Sequence, residues 1–216
     1  MIKKEFCAEN FTRVPEAIEL GADRIELCDE LDVGGTTPSL DMIKETVRYA
    51  HQHGVSVVVM IRPRGGSFVY DQAEKEQMLK EAKQAIELNA DGIVFGCLTE
   101  EGAIDRPITE KLIAIAGSKE SVFHMAFDFI PAEKQMQELD WLIEKGCTRI
   151  LTRGGKSGTA LENKKQINAL IEKAQSQIEL LPGGGITHED LNEIKAEIKA
   201  NQFHGTKILP FPDNLK

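Results

Sequence analysis

Ionisable and sulfur-bearing side chains recur an even number of positions apart in four short segments: Glu5 with Cys7, Glu26 with Cys28 and Arg62 with Arg64, two apart, and His124 with Asp128, four apart. If each segment is a β-strand, residues an even number apart share a face and each set points one way. Arginines orient anions by forked hydrogen bonds, and carboxylates and imidazoles move protons. Arg62 and Arg64 are therefore candidates for binding a small anionic or phosphorylated substrate, and Glu26, His124 and Asp128 for acid–base chemistry on it. Cys7 and Cys28 suit a different task. Two soft thiolates, helped by thioethers such as Met60 or Met125, would hold Cu(I). The competing structural reading is a polar network in which Glu26 and Asp128 neutralise Arg62 and Arg64 while His124 is simply hydrogen-bonded.

A second constellation is glycine-rich: Thr152-Arg153-Gly154-Gly155-Lys156-Ser157-Gly158, Gly183-Gly184-Gly185 and His204-Gly205-Thr206. Glycines let main-chain N–H groups approach an anion, so Gly154, Gly155, Gly183, Gly184 and Gly185 are candidate anion-binding positions. Tight turns are the alternative. The segment is not a P-loop, since Ile150 stands where the first glycine of that motif would be. Cys97, Cys147, His51, His53 and His188 read as structural residues.

These residues need a scaffold, and a recurring junction supplies it. Helix-like stretches end at Gly21, Gly54, Asn89, Gly117 and Gly146, and β-branched or aromatic residues follow each. Gly and Asn suit the left-handed position just past a helix end. The spacing, roughly 30 residues, is that of one strand, one helix and two loops. Reading outward predicts strands near 3–8, 24–28, 55–63, 92–98, 121–129, 149–154, 178–183 and 203–207. Helices are predicted at 15–20, 39–53, 71–89, 108–116, 132–145, 160–174 and 187–199, the last capped by Thr187. Strict alternation means a parallel sheet, and eight units point to a TIM (β/α)8 barrel in a single domain, 1–216, with the functional face at the carboxyl ends of the strands.

With 216 residues, 41% hydrophobic and 28% charged, the chain has an ordinary globular balance. Its net charge of −9, with basic residues scattered, makes nucleic acid and anionic membrane poor partners. The longest apolar run, Val55 to Ile61, falls far short of the roughly 20 residues that cross a bilayer. Charges interrupt the N-terminal segment where a signal peptide needs apolar residues. Four cysteines without a C-x-x-C clip suggest free thiols in a reducing compartment, hence the cytoplasm.

Several motifs together resemble the CutC family of copper-homeostasis proteins. These are Glu5-x-Cys7, Gly21-Ala22-Asp23-Arg24-Ile25-Glu26-Leu27-Cys28, Gly34-Gly35-Thr36-Thr37-Pro38-Ser39, Ile61-Arg62-Pro63-Arg64-Gly65-Gly66-x-Phe68-x-Tyr70, Phe123-His124-x-Ala126-Phe127-Asp128, and Ile150-Leu151-Thr152 with its glycines. The resemblance spans nearly the whole chain. It implies a TIM barrel, a cytoplasmic location and a role in copper handling, with copper binding attributed to cysteines of the type at Cys7 and Cys28. Two positions depart from the family pattern: Met125 stands where Arg is usual, and Arg153 where a small residue is usual. A positive charge is thereby moved from one strand end to its neighbour.

Pro210 and Pro212 forbid a regular eighth helix beyond strand 8. The apolar flanks of strands 1 and 8 and of the first and last helices should then lack cover, and a homodimer burying them is expected.

Overall fold

The computed structural model describes residues 2–212. The elements alternate as expected: β1 (Lys3–Glu9), α1 (Val14–Glu19), β2 (Arg24–Cys28), α2 (Leu40–Gln52), β3 (Ser56–Met60), α3 (Gln72–Glu87), β4 (Gly92–Phe95), α4 (Arg106–Ala116), β5 (Glu120–Phe123), α5 (Ala132–Glu144), β6 (Arg149–Thr152), α6 (Lys164–Ala174), β7 (Glu179–Pro182), α7 (Leu191–Glu197) and β8 (Gln202–Gly205). Short 3-10 turns occupy Leu31–Val33 and Met125–Phe129. The strands form one sheet in the order β7-β6-β5-β4-β3-β2-β1-β8, every ladder parallel. It curls into a nearly closed barrel. β7 and β8 meet across a seam spanned by a bond from Gln202 to Glu179 and, beyond the strands, by a bridge between Thr187 and Lys207.

The local causes match the junctions seen in the sequence. Gly21, Gly54, Asn89, Gly117 and Gly146 all have positive φ, between 60° and 85°, the conformation in which a helix ends and the chain turns back to the sheet. Ser39 caps α2 by accepting from the Met42 N–H, and Asp71 and Glu74 form a capping box at α3. Alternation along the strands sorts two apolar clusters. Phe6, Ile25, Val57, Val59, Phe95, Phe123 and Ile150 face the helices. Cys7, Cys28, Val58, Met60, Val94, Val122, Leu151 and Leu181 fill the barrel interior. Below that layer a buried polar network closes the barrel. Arg24 pairs with Glu5 and donates to Gln202 (2.7 Å), while Arg149 takes Glu120 in a fork (2.8 and 2.9 Å) and reaches Glu179 at 3.2 Å.

Most strands end earlier than predicted, and at β3 and β5 the difference bears on the site. β3 ends at Met60, so Arg62 and Arg64 lie beyond it, where Pro63 turns the chain. β5 ends at Phe123, and His124 caps the 3-10 turn, its ring accepting from the Ala126 N–H at 3.1 Å. His124, Ala126 and Asp128 therefore do not share a strand face. At α7, Thr187 is not the cap: it closes a turn with Asp190, which stands at the N-cap position, and the helix begins at Leu191, four residues after Thr187.

No helix follows β8 among the described residues. The bare flank expected there is not found, because the tail covers it. Ile208 and Leu209 are buried, Phe211 lies 5.0 Å from the Phe6 ring, and the Arg13 guanidinium stands 3.7 Å from the Phe211 ring centre. The premise for a homodimer at this flank is corrected accordingly. Positions 213–216 of the tail lie outside the described residues.

Candidate functional site

The interior layer is apolar except at one point. Cys7 on β1, Glu26 and Cys28 on β2, and His204 on β8 converge beneath the carboxyl end of the barrel. The parallel β1–β2 register makes Cys7 and Glu26 partners, both facing inward. Cys7 Sγ lies 3.2 Å from Glu26 Oε2, Cys28 Sγ 3.6 Å and His204 Nε2 3.7 Å from the same oxygen. Ligand atoms of Cys7, Glu26 and His204 all fall within 4.8 Å of one another. Behind them His204 Nδ1 is bonded to Glu5 Oε1 at 2.8 Å, which fixes the ring with Nε2 toward the thiols. Gly35, at φ +86°, makes room for the cluster: a Cβ there would sit 3.2 Å from Cys28 Sγ.

The electrostatics follow from burial among carboxylates. Burial would raise the Glu5 carboxyl, but Arg24 and His204 hold it down at about 2. Burial raises Glu26, aided by the nearby Glu5 charge and opposed by His204. Burial works against charge on His204, yet the surrounding Glu26, Cys7 and Glu5 push it well above the ordinary histidine value. Cys7 is pushed well up by its bond to Cys28 and by burial. That bond lowers Cys28, but burial and Glu26 carry it to about 11. Both thiols therefore hold their protons at neutral pH unless a cation displaces them. Two soft sulfur donors beside an imidazole and a carboxylate form a donor set that fits Cu(I).

These residues line a cavity of about 110 Å³ together with Arg62, Phe68 and His124. Above it a wider vestibule of about 570 Å³ shares Gly34, Arg62, Phe68 and Met125 with the cavity. The His124 ring is seated against the sheet only because residue 96 is glycine: a Cβ there would fall 2.5 Å from Nδ1. Burial and the Arg62 charge depress the ring to about 3, so it is neutral.

Of the residues singled out in the sequence, Cys7, Cys28, Glu26, Arg62 and His124 share this cavity. Arg64 is held elsewhere, by Glu74 at the start of α3 (2.5 Å) and by the carbonyls of Gly65, Ser67 and Val69. Asp128 points to the end of β6, accepting from Thr152 Oγ1 and from the N–H groups of Arg153 (3.0 Å) and Gly154 (3.2 Å). Neither carboxylate neutralises an arginine as the polar-network reading expected. Gly154 and Gly155 line a separate hollow beside Asp128. Gly183 packs behind the cavity wall, where a Cβ would sit 2.9–3.1 Å from Leu151, Met125 and His204, while a Cβ at Gly184 would press on Arg153 and one at Gly185 on Thr159. Met125 and Arg153 do meet, Arg153 Nη2 lying 3.4 Å from Met125 Sδ at the vestibule. His204 was read only as part of a glycine turn. Its even spacing from the inward Gln202 and its register opposite Glu5 were the available signals.

Comparison with known proteins agrees with this arrangement. The model of the CutC family matches residues 2–209. The chain is 49% identical over 207 residues to a CutC family protein of Enterococcus faecalis, covering 95% of this chain and 99% of that protein. It is 42% identical to the human copper homeostasis protein cutC homolog, covering 93% and 71% of the two chains. Among solved structures it superposes on CutC from Streptococcus agalactiae with a TM-score of 0.93 at 45% identity, covering 96% and 100%. Deoxyribose phosphate aldolase from Aeropyrum pernix shares the fold alone, with a TM-score of 0.69 at 15% identity over 95% of this chain and 85% of that one. The barrel and the matched motifs lead to one assignment: the chain belongs to the CutC family of copper homeostasis proteins.

Proposed function

We propose that this protein binds Cu(I) in the cytoplasm, with Cys7 and Cys28 as the thiolate ligands. The observation that carries the reading is the approach of both thiols to one buried oxygen, Glu26 Oε2, at 3.2 and 3.6 Å. Without a cation both thiols are protonated and neutral. When Cu(I) arrives, each thiol gives up a proton to solvent, through the cavity, and the ion takes the place of those protons. Glu26 and His204 flank the sulfurs, and the protonated His204 ring, held by Glu5, offsets the net negative charge of the resulting bis-thiolate centre. Four buried, unpaired cysteines are consistent with a reducing compartment.

X-ray absorption of reduced protein loaded with one equivalent of Cu(I) tests the ligand assignment. Sulfur should dominate the first shell at a short two-coordinate distance, and a shell of nitrogen and oxygen alone would reject it.

A further inference from the structure

The same cavity holds a charge, on Arg62, and a donor, on His124, that the copper reading does not use. Arg62 is 4% exposed. Its Nη1 donates to the carbonyls of Val33 (2.9 Å) and Gly35 (3.0 Å) and its Nη2 to that of Gly66 (3.0 Å), but no carboxylate pairs with it among the described residues. Carbonyl dipoles orient a guanidinium without cancelling its charge, and a buried charge left so calls for a counterion. His124, also 4% exposed, points to the same conclusion independently. Its Nδ1 accepts from the Ala126 N–H, so Nε2 must carry the ring proton, and that buried donor has no acceptor. Buried polar groups are nearly always satisfied, and an exception marks a missing partner.

The missing partner is an anion, and the surroundings limit its kind. The cavity of about 110 Å³ has room for a group of only a few heavy atoms. Arg62 Nε and His124 Nε2 are its unsatisfied buried donors, Glu26 lines the same cavity, and Gly154 and Gly155 lie in a separate hollow. A singly charged planar carboxylate fits these terms, and a phosphate dianion does not. The rest of the ligand must extend into the vestibule, whose walls include Val33, Phe68, Leu98 and Phe129. Val33 and Phe129 are 42% and 46% exposed there, large apolar side chains left in water at one rim. Arg153 stands at the same vestibule with no carboxylate partner among the described residues, placed to attract an anion from solvent.

We infer that the Arg62–His124 wall and the vestibule above it bind a small organic monocarboxylate, the carboxylate on Arg62 and His124 Nε2 and the apolar remainder against Phe68 and Phe129. This goes beyond copper binding and does not depend on it.

The test uses reduced, copper-free protein labelled with ¹⁵N-histidine, titrated with 3-phenylpropionate, with its amide and with inorganic phosphate. The acid should bind one per chain and shift the His124 Nε2 resonance, and the amide should bind weaker on the order of tenfold. Arg153→Ala and Phe129→Ser, both changes at the open rim, should each weaken binding of the acid severalfold, with circular dichroism showing that each variant is folded. Cys7→Ser with Cys28→Ser should retain it while losing copper, so each reading can fail without the other. Equal binding of acid and amide, preference for phosphate, no binding of the acid at millimolar concentration, or binding that leaves His124 Nε2 unmoved would each overturn the inference.

Discussion

The Cys7 thiol lies 3.2 Å from Glu26 Oε2, the same oxygen that Cys28 approaches at 3.6 Å. One carboxylate thus adds to burial in raising the proton affinity of two thiols on adjacent strands. Replacing it as Glu26→Gln removes the charge that opposes thiolate formation. The onset of thiolate ultraviolet absorbance in metal-free protein should move to lower pH, below the value of about 11 at Cys28. An unchanged titration would mean that burial alone raises the thiols.

Copper affinity should rise with pH. Both thiols are protonated at neutral pH, so binding one ion releases up to two protons. The apparent association constant should then climb by about one to two decades per pH unit through the neutral range. Competition against a Cu(I) chelator of known pH response measures the slope. A flat profile would show that binding displaces no thiol proton.

Glu5 links the site to the stability of the barrel. Its pKa falls from 4.5 to about 2 in the folded chain. A folded value below the unfolded one adds stability above pH 4.5 that is lost as pH falls toward 2. His204 has the opposite sign: its raised value adds stability below 6.5 that is lost as pH rises through the folded pKa. Glu5→Gln leaves Arg24 buried without its partner and should cost about 3–5 kcal/mol at neutral pH. The difference from the parent should shrink in acid. Urea unfolding of both proteins at neutral pH and near the acid limit checks this, and a difference independent of pH would count against the assignment.

At Gly35 the backbone and the site are coupled. Gly35→Ala places a Cβ in a left-handed residue, at a cost of about 1–2 kcal/mol, and 3.2 Å from Cys28 Sγ. Stability and Cu(I) affinity should fall together. Loss of stability with unchanged affinity would show that Cys28 does not hold the ion.

The tail should replace the missing helix in energetic terms. Phe211→Ala removes a ring packed on Phe6 and under Arg13. Since Phe211 is partly buried, a loss of about 1–2 kcal/mol is expected, together with self-association of the uncovered flank. Thermal unfolding and light scattering measure both, and an unaltered melting temperature would show that the tail contributes no cover.

The barrel was legible because its punctuation is local: a left-handed Gly or Asn ends each of five helices whatever the tertiary surroundings. The thiol side of the site was legible by parity, since Cys7, Glu26 and Cys28 lie within true strands. Parity failed where the strands had ended. Pro63 turns Arg64 out to Glu74, and the bond from Ala126 N–H to the His124 ring starts a 3-10 turn that carries Asp128 to β6. His-Met-Ala-Phe-Asp alternates like a strand, and only the ring's acceptor role distinguishes it. His204 was hidden by its neighbour Gly205, which reads as a turn although it closes β8. The cover supplied by Phe211 depends on a long-range contact with Phe6 that no local pattern encodes.

The most direct measurement is a Cu(I) competition titration of reduced parent protein beside Cys7→Ser, Cys28→Ser and the double variant, with circular dichroism to confirm that each is folded. The parent should bind one ion per chain, each single variant should lose affinity by orders of magnitude, and the double variant should bind no better than background. If the folded double variant binds Cu(I) as tightly as the parent, the thiol pair at Glu26 is not the copper site.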